Sequence, residues 1–76
     1  EELAEYEELI RRLYEAISSL PPMQARRVHA RYMLGMKVKD IAAMEGITPS
    51  QAGKSIHAAL RRLRRYFARQ KWTVNL

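Results

Sequence analysis

The sequence predicts an all-α domain, a small four-helix bundle with a C-terminal helix-turn-helix. Apolar residues recur at alternating steps of three and four in the first and last thirds of the chain, which is the spacing of helices that bury one side. Proline and glycine divide the chain into four segments, at Pro21-Pro22, Gly35 and Gly46. No segment shows the strict alternation of apolar and polar residues that indicates a strand.

The first helix is expected to run from about Glu2 to Ser19. One apolar stripe should face the bundle: Leu3, Tyr6, Ile10, Leu13, Ile17 and Leu20. Two glutamate–arginine pairs have the favoured spacing of four and should each contribute roughly a few tenths of a kcal/mol: Glu7 with Arg11, and Glu8 with Arg12. Pro21-Pro22 then ends this helix and suits the first turn of the next.

The second and third helices are shorter. The second should span Pro22 to Leu34, with Gly35 as its C-terminal cap, and its expected inner residues are Met23, Val28, Tyr32 and Met33. The third should span about Val38 to Met44, and its expected inner residues are Ile41, Ala42 and Met44. Gly46 then supplies the positive φ that a tight turn needs.

The fourth helix has the clearest start signal, with Thr48 as N-cap and Pro49 at the first helical position. Its expected inner stripe is Ala52, Ile56, Ala59, Leu60, Leu63 and Phe67. We therefore expect one helical domain over residues 1–68, with the helix-turn-helix at about 38–67. Residues 69–76, which include Trp72 and Val74, should form a C-terminal tail.

Charge is distributed unevenly in this chain of net charge +6. Residues 1–20 contain six glutamates and two arginines and sum to −4, whereas residues 21–76 contain twelve basic and two acidic side chains and sum to +10. Such an excess attracts polyanions, with nucleic acid first and an anionic membrane surface second. Because the apolar residues of the basic helix can be buried in the bundle, we expect no membrane partner.

Several classes of protein are disfavoured. The absence of cysteine excludes disulfides and thiolate metal sites, and His29 and His57 are the only histidines. Gly53-Lys54-Ser55 imitates the end of a phosphate-binding loop, but Thr48 stands where that motif requires glycine. We therefore expect no enzyme, no cofactor and no metal. No apolar run approaches the roughly 18 residues of a membrane span and no signal region is present, so a cytoplasmic location is expected.

The third and fourth segments meet across residues 45–48 in the layout of a DNA-reading helix-turn-helix. Ala42 is small where the helices would cross, and Ile47 would fill the space between them. With the inner stripe of the fourth helix turned inward, the outward residues are Ser50, Lys54, His57, Ala58, Arg61 and Arg65. Lys54 could donate to guanine, and the later arginines suit phosphates. A solvated face, or a surface for a protein partner, is the other interpretation of these arginines.

A longer set of residues resembles region 4 of sigma-70-type RNA polymerase sigma factors. The set comprises Leu20-Pro21-Pro22, Arg31-Tyr32, Gly35, Ile41-Ala42, Gly46-Ile47 and the run from Ile56 to Arg64. It is closest to the small sigma-like regulators of bacterial mobile elements and phages. The resemblance implies a bundle that reads the −35 promoter element in double-stranded DNA and docks on the flap of the RNA polymerase β subunit.

The resemblance also implies roles for single positions. Those that match the family's base-facing positions are Pro49, Ser50, Gly53, Lys54 and Ala58, and those that match its backbone contacts are Arg31, Val38 and Lys39. Gly53 and Ala58 have no side-chain hydrogen bonds to offer, so base reading is assigned to Ser50, Gln51, Lys54 and His57. Contact with the DNA backbone is assigned to Arg31, Lys39, Thr48, Arg61 and Arg62. The chain departs from the family at Glu45, which is usually apolar, and at Ala25, which is often arginine.

Two alternatives remain open at this point. The chain could be a protein-interaction module that binds RNA polymerase or an anti-sigma partner without reading DNA by itself. The apolar stripe from Leu3 to Leu20 could also support a weak homodimer through the first helix.

Overall fold

The computed structural model describes residues 1–70, so Trp72 and Val74 of the predicted tail lie outside the described residues. Helix α1 (Glu2–Ser18) leads into α2 (Pro22–Val28), which continues as a π-helical turn (His29–Met33). Helices α3 (Val38–Glu45) and α4 (Pro49–Arg69) follow. No strand occurs within residues 1–70, and the predicted all-α fold is confirmed. Within that range no helix has the length and apolar character of a membrane span.

The core lies along α4, whose predicted inner stripe is confirmed. One cluster joins the end of α1 and α2 to α4, and consists of Ala16, Ile17, Leu20, Val28, Ala59, Leu63 and Phe67. A second cluster joins the π-helical turn and α3 to the first half of α4, and consists of Ala30, Ile41 and Ile56. Helix α4 is therefore packed against α1, α2 and α3 through its inner stripe, and the face opposite to that stripe remains exposed.

In the second and third predicted segments, three residues predicted to face inward are exposed instead: Met23 (52%), Tyr32 (54%) and Met44 (73%). Met23 lies about 140° around an α-helix from the buried Val28. The π-helical turn brings residues five apart into line, so Met33 rather than Tyr32 follows Val28 into the core. On α3, Glu45 follows Ile41 by four residues and takes the inner position that we assigned to Met44.

The first half of α1 does not pack as predicted. Leu3 is 69% exposed and Tyr6 is 59% exposed, because the buried contacts of α1 begin near its last turns. The predicted pair of Glu8 with Arg12 is confirmed at 2.8 Å. The predicted pair of Glu7 with Arg11 is wrong, since Arg11 binds Glu8 and Glu15 instead, each at 2.6 Å.

The turn between α3 and α4 has the predicted chemistry. Gly46 adopts φ 69°, and the Ile47 N–H donates to the Ala42 carbonyl at 3.0 Å, which closes the end of α3. Thr48 caps α4 in a reciprocal arrangement with Gln51: the Gln51 N–H donates to Thr48 Oγ1 (3.1 Å) and the Thr48 N–H donates to Gln51 Oε1 (2.9 Å). The start of α4 is thus held in one conformation.

Two glycine substitutions should change stability in opposite directions. A Cβ would meet no atom within 4 Å at either Gly53 or Gly46, so only the backbone distinguishes the two sites. Gly53 lies inside α4, and Gly53→Ala should raise the free energy of unfolding by about 0.5–1 kcal/mol. Gly46→Ala should lower it by about 1 kcal/mol, because φ is +69° there. Urea unfolding followed by circular dichroism measures both, and equal changes would contradict this assignment.

Candidate nucleic-acid interface

The exposed face of α4 carries the side chains that we assigned to base reading. Ser50, Lys54 and His57 are exposed and lie at steps of four and three, so they share one side of the helix, and Arg61 continues the row. Helix α4 has 21 residues and is therefore about 31 Å long. Ser50, Lys54 and His57 all lie in its first half.

Thr48 and Gln51, which the sequence assigned to DNA contact, also cap the start of α4. Each uses its side-chain oxygen to accept a backbone N–H at the start of α4. The amide nitrogen of Gln51 is the group left for a base, and the hydroxyl hydrogen of Thr48 is the group left for a phosphate. The cap therefore fixes both side chains at the N-terminal end of α4.

The residues assigned to contact with the DNA backbone differ in exposure and in their contacts within the protein. Lys39, Arg61 and Arg62 are exposed. Arg31 is half-buried, its Nη1 donates to the Met36 carbonyl at 3.3 Å, and its guanidinium carbon lies 5.6 Å from the centre of the Tyr32 ring. Arg31 is thus directed by the π-helical turn, while the other three extend into solvent.

A buried ion pair behind the exposed face was not predicted. Arg27 of α2 is 8% exposed, and its Nε and Nη2 donate to Glu45 Oε1 at 2.9 and 2.8 Å. Its Nη1 donates to Ser55 Oγ of α4 at 2.8 Å. The hydrogen bonds from Arg27 lower the pKa of Glu45, and the nearby charge of Arg26 acts in the same direction. The one signal in the sequence was the resemblance, in which Glu45 stands at a usually apolar position.

An apolar groove of about 280 Å³ lies between α1, the α2 segment and α4. It is lined by Leu13, Ile17, Val28, Tyr32, Met33, Leu60 and Leu63. The groove lies behind the exposed face of α4, since Leu60 and Leu63 belong to the inner stripe. All of these residues were predicted to lie in the core, and no groove was predicted.

Metal binding has no candidate site among residues 1–70. Within that range no group of three or more histidine, aspartate or glutamate side chains is placed to hold an ion. The two histidines are on different helical segments, and the His29 ring contacts Tyr14 with 6.5 Å between ring centres.

A short helix, a left-handed glycine turn and a longer helix with an exposed basic face define a DNA-binding helix-turn-helix domain. Residues 10–63 match the model of the family described as sigma-70, region 4, which covers more than two-thirds of the chain. The chain belongs to this family, whose members bind DNA in transcription and interact with RNA polymerase, and which is not a family of enzymes. Searches of curated proteins and of solved structures found no match.

Proposed function

We propose that this domain reads a −35-type promoter element in the major groove through the first half of α4. The observation that carries the proposal is the row of exposed Ser50, Lys54 and His57 behind a capped helix start. The Lys54 ammonium can donate to O6 or N7 of guanine, and the Ser50 hydroxyl and the His57 ring can bond to either bases or phosphates. The Gln51 amide nitrogen adds a fourth donor at the same end.

Affinity would come mainly from phosphate contacts. Arg61 and Arg62 follow the reading residues along α4, Lys39 lies in the first turn of α3, and Thr48 lies at the cap. Arg31, whose guanidinium is held near Met36, is the fifth candidate. Neutralising several phosphates releases counterions, so binding should weaken steeply as salt rises.

Fluorescence anisotropy with two duplexes tests this function. One duplex carries a −35-like hexamer, and the other carries the same base pairs in scrambled order. We expect tighter binding to the first by about a thousandfold at physiological salt, the lower end of the range for specific readers. Equal affinity for the two duplexes would favour the alternative of a protein-interaction module, in which polymerase or an anti-sigma partner is the ligand.

We further propose that the apolar groove takes the β flap of RNA polymerase. An apolar helix or loop tip from a partner would bury the groove-facing surfaces of Leu13, Met33 and Leu60. The groove and the reading face lie on different sides of α4, so both ligands can be held together. This geometry is what a promoter-reading domain attached to polymerase requires.

Tyr32→Asp should weaken binding to an isolated β-flap fragment at least tenfold, because a carboxylate would enter an apolar groove. Tyr32 is 54% exposed, so the core remains intact. Tyr6→Asp is the matched control, since Tyr6 is 59% exposed and does not line the groove. Isothermal titration calorimetry measures both variants, and equal losses would contradict the assignment of this groove to polymerase.

The exposed first half of α1 favours a second candidate, a weak homodimer. Leu3 and Tyr6 form an apolar strip that no other described residue covers. Two such strips could pair as a short coiled coil. Sedimentation equilibrium decides this point: a monomer at high concentration would remove the homodimer, and a dimer that Tyr6→Asp dissociates would support it.

A further inference from the structure

Arg27 is the place where α2, α3 and α4 are joined by directed polar bonds. Its guanidinium donates to the last residue of α3, Glu45, and to Ser55 in the first half of α4. Ser55 directly follows the reading residue Lys54, about 100° around the helix. The bond to Ser55 therefore holds the part of α4 that would enter the major groove of DNA.

We propose that Arg27 and Ser55 are positioning residues that set the orientation of α4 and thereby the discrimination between DNA sequences. The proposal rests on the proposed DNA reading by α4. Apolar contacts such as those of Ile56 allow one helix to slide and rotate slightly against another. The planar guanidinium of Arg27, in contrast, donates its hydrogen bonds in a few fixed directions. Base reading needs side chains placed within about 0.5 Å and 10–20°, which is the precision that such bonds supply.

Stability alone does not account for this arrangement. Burying Arg27 and Glu45 costs desolvation free energy that their attraction roughly offsets, and apolar residues of the same volume often give equal or greater stability. Glu45 directly precedes the left-handed Gly46, so its bonds to Arg27 also fix the end of α3 at the turn. The three residues thus orient both helices of the helix-turn-helix against α2.

Ser55→Ala removes the link to α4 and leaves the Arg27–Glu45 pair in place. We expect the ratio of affinities for the −35-like and scrambled duplexes to fall about fivefold, with unchanged affinity for the scrambled duplex. Ser55→Thr is the matched control, since it keeps the hydroxyl and should keep the ratio. A purely structural role would lower both affinities together, and an unchanged ratio in Ser55→Ala would overturn the proposal.

A second variant separates orientation from stability. Arg27→Met, Glu45→Leu and Ser55→Ala together replace the polar cluster by apolar side chains, and the triple variant is expected to fold with little loss of thermal stability. Its affinity ratio should nevertheless fall at least as far as that of Ser55→Ala. A folded triple variant with the ratio of the natural sequence would also overturn the proposal.

A distance measurement without DNA tests the positioning role separately from DNA reading. The chain has no cysteine, so spin labels at Met23→Cys on α2 and Ser50→Cys on α4 report the distance between the two helices. We expect one narrow distance distribution, broadened by Ser55→Ala and not by Ser55→Thr. If the natural sequence fails to discriminate between duplexes, the proposed reading fails; if Ser55→Ala leaves the distribution unchanged, the positioning role fails.

Discussion

Lys54→Glu should reduce affinity for a duplex with a −35-like hexamer by about a hundredfold. The substitution removes a donor worth about 1–3 kcal/mol of base discrimination and places a carboxylate against base and phosphate oxygens. Lys54 is exposed on the first half of α4 and has no role in the core, so the fold should be unaffected. Fluorescence anisotropy at a fixed salt concentration measures the loss.

Arg69→Glu is the charge-matched control for that variant. Arg69 is also an exposed cation on α4, but it lies fifteen residues beyond Lys54, which places it about 22 Å further along the helix axis. Recognition helices contact base edges with their N-terminal residues, so Arg69→Glu should cost less than about tenfold. Equal losses in the two variants would mean that net charge, and not the first half of α4, governs binding.

Glu45→Gln should lower the free energy of unfolding by about 2 kcal/mol, because Arg27 would remain buried without an anion. Glu45 retains some exposure, with 16% of its side chain accessible, which keeps the expected loss below that of a fully buried pair. A domain of this size holds only about 3–5 kcal/mol, so the loss should be visible directly in urea unfolding. Glu15→Gln breaks an exposed pair on α1 and should leave the unfolding midpoint nearly unchanged.

The same ion pair predicts a dependence on pH. Hydrogen bonds from Arg27 hold the pKa of Glu45 below its usual value of 4.5. The stabilisation is therefore complete above that value and is lost as pH falls through the lower pKa of the folded state. Arg11, and to a smaller extent Arg12, also lower the pKa of Glu8, so Glu8 contributes to the same pH dependence. The contribution of Glu45 is therefore the difference in unfolding free energy between the natural sequence and Glu45→Gln, measured as a function of pH. If Glu45→Gln lost unfolding free energy as steeply as the natural sequence below pH 4.5, Glu45 would not be the titrating group.

The helix-turn-helix could be predicted from sequence because its signals are local. Thr48 and Pro49 define a helix start, Gly46 defines a turn, and the stripe from Ala52 to Phe67 defines the buried side of α4. Each of these features depends on neighbouring residues along the chain and on backbone geometry. The exposed face of α4 followed directly, because it is the side opposite to the stripe.

The remaining features depend on contacts between distant residues. The Arg27–Glu45–Ser55 cluster joins three helices, and an apolar pattern cannot show that a glutamate occupies the inner side of α3. The π-helical turn shifts the register after Val28, which a constant helical period cannot represent. The exposure of Leu3 and Tyr6 depends on where α2 and α4 end relative to α1, which periodicity does not encode.

The candidate site was likewise predicted in part. Its exposed side chains, Ser50, Lys54 and His57, could be placed by counting positions along one helix. The reciprocal cap of Thr48 with Gln51 was only half predicted, since the N-cap residue was identified but its partner was assigned to bases. The apolar groove could not be predicted, because it forms where three helices leave a gap between inner residues.

Amide chemical-shift mapping with the −35-like duplex tests whether α4 is the helix that reads DNA. A titration of the ¹⁵N-labelled domain reports each backbone amide separately. We expect the largest shifts at residues 48–57, around the start of α4, smaller shifts near Arg61 and Lys39, and none in the first half of α1. Shifts concentrated in α1 or in the apolar groove, with residues 48–57 unchanged, would contradict the assignment of α4 as the DNA-reading helix.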